Sequence, residues 1–247
     1  MALAETAARM RRTFTDPGDP AVRRTPVWFG RTSARPTVVC LPSFSAIAGP
    51  HVYVRFADGF SDAWRAAALA HPGFLPGEPL PESVEALAEL HARTIAETVV
   101  EAPLLLVGRS AGGWLAHEVA AALERGGRTP DGVALLDTPA SGGDPRGYAL
   151  MVGGMLERAG RLVPIDDHRL TAMGAYRRLF RDWKPEPIAA PTLLVHAAAP
   201  YGSDGVRIAS WHLPHEAAEV AGDHFTMLEE HSATTAEAVE RWSRSLL

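Results

Sequence analysis

The chain's 247 residues are enough to bury a full core as one domain (1–247), and its 47% hydrophobic and 21% charged residues are ordinary for a globular protein. A formal net charge of −5, with no basic cluster beyond Arg9, Arg11 and Arg12, argues against a nucleic-acid partner. The N-terminus lacks the basic-then-apolar order of a signal peptide and no apolar run reaches about 18 residues, so a cytoplasmic protein with no membrane partner is expected.

In chain order, "VWFG" (27–30) predicts an early antiparallel strand, and "TVVCL" (37–41) a buried one. Cys40, the only cysteine, lies inside that run and is expected to act as a small hydrophobe; alone it excludes an intrachain disulfide and a cysteine-built metal site. A helix is predicted from Ser83 to Val100, then a strand "LLLVG" (104–108), a helix from Gly112 to Leu123, and a strand "VALLD" (133–137). "TLLVH" (192–196) and "AAEV" (217–220) complete the series, with Pro103 and Pro191 at two strand entrances. Aliphatic runs alternating with helical patterns predict an α/β fold, its mostly parallel central sheet covered by helices on both faces. Between Asp137 and Pro191 the alternation stops. Tyr148, Met151, Val152, Met155 and Leu156 recur at helical spacing, and Leu170, Met173, Tyr176, Phe180 and Trp183 form a second stripe. The expected arrangement is a core at 27–140 and 185–247, with a helical lid insertion at 141–184 over the carboxyl ends of the strands.

"GRSAGG" (108–113) follows a strand-like run and opens a helix, the setting of a nucleophile elbow with Ser110 at its tip. The five residues of G-x-S-x-G are weak evidence alone, because a chain with 22 glycines carries them by chance about one time in ten. A serine hydroxyl needs a base, and the base needs an acid to orient it. His224, in the loop "VAGDHFTML" before the last helix, stands where the Ser…Asp…His chain order puts the base; His231 is its rival. Asp137 directly follows a strand and is favoured as the acid over Asp204 in "PYGSDG". Asp131 precedes its strand, at the wrong end of the sheet, and Asp223 is expected to support the loop of His224. Two N–H donors for an oxyanion are expected from Ala111 and from the loop "PSFSAIAGPH", where Phe44 is the candidate.

With these residues in place, the chain resembles the terminal thioesterase domains of modular type I polyketide synthases, members of the α/β-hydrolase superfamily. The resemblance runs from about Val38 to Trp242 through "SAIAGPH", "GEPLPES", "GRSAGG", "GVALLD", "DDHRLTAMGAYRRL", "PTLLVHAAAPYG" and "GDHFTMLEEH". It implies Ser110 as nucleophile, His224 as base and Asp137 as acid, with the Ala111 and Phe44 N–H groups forming the oxyanion hole. It also implies a substrate carried on the phosphopantetheine of an acyl carrier protein, a polyketide acyl chain released by hydrolysis or macrolactonisation, and no bound cofactor or metal. Stand-alone editing thioesterases place the acid one strand later, near Asp204, so Asp137 favours the chain-releasing reading. A generic carboxylesterase and a non-catalytic binding protein are the other classes to separate. The family's homodimer is formed by two N-terminal helices, for which the segment before the first strand is short here. A tyrosine common after the acid is absent from "DTPASGG". Arg109 stands where histidine or tyrosine usually precedes the serine. Its guanidinium is expected in solvent along the strand–helix junction; the alternative is a positive charge serving a polar acyl group.

Overall fold

Seven strands form one sheet in this computed structural model, which describes residues 2–30, 36–100, 103–140, 145–160, 163–201, 205 and 207–246. They are β1 (Val27–Phe29), β2 (Thr37–Leu41), β3 (Arg65–Ala68), β4 (Leu104–Arg109), β5 (Gly132–Leu136), β6 (Thr192–Ala197) and β7 (Glu216–Val220). Their spatial order is β1-β3-β2-β4-β5-β6-β7, with β1 antiparallel to β3 and every other pairing parallel. Continuous burial of β2, β4 and β5 explains why they read as unbroken aliphatic runs. Successive side chains then alternate between two cores. Val39, Leu41, Leu104, Leu106, Val133 and Leu135 face one cluster, while Val38, Cys40, Leu105, Val107, Ala134 and Leu136 face the other.

Helices α3 (Val84–Thr98) and α4 (Ala111–Arg125) cover the first face, and α2 (Val54–Asp58) and α7 (Ser232–Ser243) the second. The start of α3 is fixed by Ser83, whose side chain accepts a hydrogen bond from Ala86 N–H. Cys40 is fully buried, and burial pushes its thiol pKa up. Among the described residues no helix is long and apolar enough to cross a membrane.

One strand escapes the sequence pattern. β3 reads "RAAA", a poor strand former, yet Ala67 and Ala68 are wholly buried between β1 and β2. The helical stretch predicted between β5 and β6 contains α5 (Pro145–Arg158) and α6 (Asp167–Leu179). Met155 and Met173 pack with Ala46 and Ile47 of the loop after β2. The first stripe is only partly used, since Leu156 is exposed and the side chain of Tyr148 lies outside the described residues. The second stripe is anchored more firmly: Tyr176 and Phe180 enter the main core. Helix α1 (Ala2–Ala8) crosses α6 closely at Gly174, where Glu5 bridges Arg177 and Arg181, both at 2.6 Å.

Chain order around the sheet sets the place of the site. From β2 the chain moves outward to β3, and it later returns to the other flank of β2 as β4. The crevice between the carboxyl ends of β2 and β4 is therefore the switch point where open α/β sheets bind ligands.

Candidate active site

β4 ends at Arg109 and α4 begins at Ala111, so Ser110 alone makes the turn between strand and helix. Its φ of 56° and ψ of −133° lie in a region that L-residues rarely adopt. The surroundings enforce this strain. A Cβ at Gly108 would lie 2.2 Å from the Gly112 carbonyl oxygen, and one at Gly112 would lie 2.3 Å from the Leu41 carbonyl oxygen. Only glycine at both positions lets α4 start this close to the ends of β4 and β2. Ser110 N–H donates to the Leu136 carbonyl at 2.8 Å, tying the tip of the turn to the end of β5. Ala111 is the first residue of α4, so its N–H has no partner within the helix and points with the helix's positive end.

Asp137 follows β5 directly, with a positive φ of 43°. Its N–H donates to Val195 O at 2.8 Å, and its Oδ1 accepts from Ala197 N–H at 3.2 Å, so β6 holds both backbone and carboxylate. The free oxygen, Oδ2, lies 2.7 Å from Nδ1 of His224. Both side chains are buried, His224 completely. The His224 loop is fixed by Ala199 N–H donating to Gly222 O at 2.9 Å, and by Asp223. Asp223 Oδ1 accepts from the N–H groups of Phe225 and Thr226, both at 2.8 Å, and from the Thr226 hydroxyl at 3.0 Å. Burial alone would raise its carboxyl pKa, but these bonds hold it below the usual carboxylate range. The opposite ring nitrogen of His224, Nε2, is buried and has no hydrogen-bond partner.

Phe44, in the loop after β2, is buried with its ring 4.9 Å from Tyr176 and 4.8 Å from Phe180, both on or just after α6. Ala111 packs against the same cluster. The two expected N–H donors thus lie on adjacent segments, one at each side of the switch-point crevice. The rivals are placed elsewhere. His231 caps α7 and lies against Gly222, and Asp131 accepts from Leu104 N–H at 2.7 Å at the far end of the sheet. Asp204 lies outside the described residues. The same residues contain no group of three or more His, Cys, Asp or Glu able to hold a metal.

Arg109 corrects an expectation. Its guanidinium is not in solvent: the residue is 7% exposed, and Nη1 donates to the His224 carbonyl oxygen at 3.0 Å. Two further contributors were missed by sequence reasoning. The Tyr53 hydroxyl donates to Leu41 O at 2.9 Å and accepts from Arg109 N–H at 3.0 Å, bridging the ends of β2 and β4. Arg158 of α5 grips Glu229 with Nε at 2.8 Å and Nη2 at 3.2 Å, joining α5 to the segment after His224. No local motif marks either pair, because the partners are distant in sequence.

Comparison with known proteins points to one family, the thioesterase domain, whose pattern matches residues 36–243. The polyketide synthase GfsE of Streptomyces halstedii is 45% identical over 221 residues, covering 85% of this chain and 6% of the synthase. The spectinabilin polyketide synthase system protein NorC of Streptomyces orinoci is 43% identical over 232 residues, covering 90% of this chain and 10% of that protein. The chain therefore spans a tenth or less of the length of these relatives. Among solved structures, the Vlm2 thioesterase domain bound with a dodecadepsipeptide shares the fold, with a TM-score of 0.66 over 88% of this chain and 99% of that one at 19% identity.

Proposed function

The chain belongs to the thioesterase-domain family, and from that membership we propose that it releases a polyketide acyl chain from the phosphopantetheine thioester of an acyl carrier protein. The observation that carries the reading is the buried 2.7 Å contact between His224 and Asp137, next to a serine held in a strained strand–helix turn.

In this reading His224 Nε2 takes the proton of Ser110 Oγ as the oxygen attacks the thioester carbonyl. The N–H groups of Ala111 and Phe44 receive the oxyanion. The tetrahedral intermediate collapses, the C–S bond breaks, and the imidazolium gives its proton to the departing pantetheine thiol. The acyl group is left as an ester on Ser110. His224 then deprotonates water or a hydroxyl of the same chain as it attacks the ester carbonyl; the acyl C–O bond to Ser110 breaks, Oγ takes the proton back from the imidazolium, and an acid or a lactone leaves. Asp137 holds the proton on Nδ1 and stabilises the imidazolium. The phosphopantetheine arm is part of the substrate and no bound cofactor takes part in any step. Helices α5 and α6 act as the lid, a role supported by Met155 and Met173 packing beside the loop that carries Phe44.

The deciding comparison is kcat/KM for an acyl thioester on a carrier protein against a simple p-nitrophenyl ester of the same acyl group. The carrier-bound thioester is expected to be the better substrate, with an acyl-sized mass increase on the peptide containing Ser110. Faster turnover of the free ester moves the protein to the carboxylesterases.

The pH profile has a definite sign. Burial pushes the pKa of His224 down, the Asp137 bond pulls it up, and the nearby Arg109 cation pushes it down; the net effect lies below the ordinary imidazole value of about 6.5. Because the base acts as neutral imidazole, kcat/KM rises with pH through that pKa. Its half-rise is expected below the ordinary value. A half-rise above it is incompatible with His224 as the base in this setting.

A further inference from the structure

Arg109 stands beside the nucleophile, and none of the steps above uses it. A buried guanidinium is costly unless its N–H groups find acceptors. Here one bond answers that cost, from Nη1 to the main-chain carbonyl of His224, while Nε is buried without a partner. The guanidinium carbon lies 5.3 Å from the centre of the Phe225 ring, the residue after the base. A methionine would fill this space without the desolvation cost. The cation is therefore better explained by what it holds than by what it fills.

What it holds is the base's own backbone. Asp137 fixes the His224 ring at Nδ1, and Arg109 fixes the peptide that carries the ring. Because Arg109 precedes Ser110, the second tie connects the base to the strand end that positions the nucleophile. Arg109 is itself anchored there by the Tyr53 hydroxyl at 3.0 Å. From the other direction, Arg158 lies 4.1 Å from the Phe225 ring centre while gripping Glu229. The His224–Glu229 segment is thus held between β4 and α5.

We propose that Arg109 is a positioning residue for the catalytic base, its hydrogen bond to the His224 carbonyl setting the distance and direction of Nε2 from Ser110 in both acylation and release. This rests on the reading of Ser110, His224 and Asp137 as a triad. The charged groups facing His224 are Asp137 from the end of β5, Asp223 from its own loop, and Arg109 from the end of β4. The two carboxylates favour the imidazolium and Arg109 opposes it.

The test compares the full chain with Arg109→Met, Arg109→Lys and Arg109→Gln, using an acyl-N-acetylcysteamine thioester and a fluorophosphonate probe. Arg109→Met is expected to lower kcat by about 10²-fold, the scale of an ångström-sized misplacement, with KM within about twofold of wild type. Labelling by the probe slows in parallel. The half-rise of kcat/KM moves to higher pH, because the charge opposing the imidazolium is gone. Arg109→Lys keeps charge and donor, recovers about tenfold of the lost kcat, and leaves the half-rise in place. If the methionine variant does not fold, Arg109→Gln carries the same test through the movement of the half-rise. An unmoved half-rise in folded Arg109→Met or Arg109→Gln, or a loss that tracks only the thermal midpoint and is not rescued by lysine, overturns the proposal. Wild-type protein that fails to label with the probe overturns the triad reading itself, a result distinct from either.

Discussion

Ser110→Ala is expected to reduce thioester hydrolysis by on the order of 10⁶-fold, because the base, acid and oxyanion donors act as a unit around a nucleophile that is no longer there. Fluorophosphonate labelling and the acyl-enzyme mass shift should disappear together. The substitution is a clean one on physical grounds. Alanine keeps the Cβ that serine already carries at φ 56°, so the backbone strain is the same before and after. The bond from the residue 110 N–H to Leu136 O is a main-chain contact and survives the change. Thermal stability is therefore expected to stay close to wild type, and lost activity cannot be charged to lost structure. Full turnover by a folded Ser110→Ala protein sinks the covalent mechanism.

The same separation of local chemistry from long-range contact explains what could be read in the sequence. Strands β2, β4, β5 and β6 were legible because burial on both faces selects continuous aliphatic runs. The serine turn was legible because close approach of strand and helix requires glycine at fixed spacing, as the 2.2 Å and 2.3 Å approaches at Gly108 and Gly112 show. The positions of Asp137 and His224 followed from their places after a strand and before the last helix. β3 was not legible. Its alanines fit tightly between two neighbours, and small residues chosen for fit carry no strand propensity. Arg109 was misread for a different reason. An arginine in isolation is most cheaply placed in solvent, and its acceptor is a main-chain carbonyl 115 positions away, which no side-chain pattern encodes. Tyr53 is the same case, its hydroxyl spent on two backbone groups from different strands.

Asp137→Asn is expected to lower kcat by about 10⁴-fold, whereas Asp204→Asn should leave it within about twofold of wild type. Asparagine is well tolerated at positive φ, so the backbone at residue 137 has little reason to move. The effect comes from the amide's mixture of donor and acceptor. If its oxygen keeps the bond from Ala197 N–H, its NH₂ group faces His224 Nδ1 at the position of Oδ2. A donor there demands an unprotonated Nδ1, which places the ring proton on Nε2. That nitrogen can then no longer accept the proton of Ser110. If the amide flips instead, its NH₂ meets the Ala197 N–H, donor against donor, in a buried site. The first orientation takes the function from the base and the second keeps the tautomer only at the cost of that clash; neither can be repaired by solvent, since Asp137 is 4% exposed. A severe loss in Asp204→Asn, with Asp137→Asn active, places the acid after β6 and assigns the chain to the editing type of thioesterase. The 2.7 Å bond to His224 and the two ties from Asp137 to β6 argue for the opposite result.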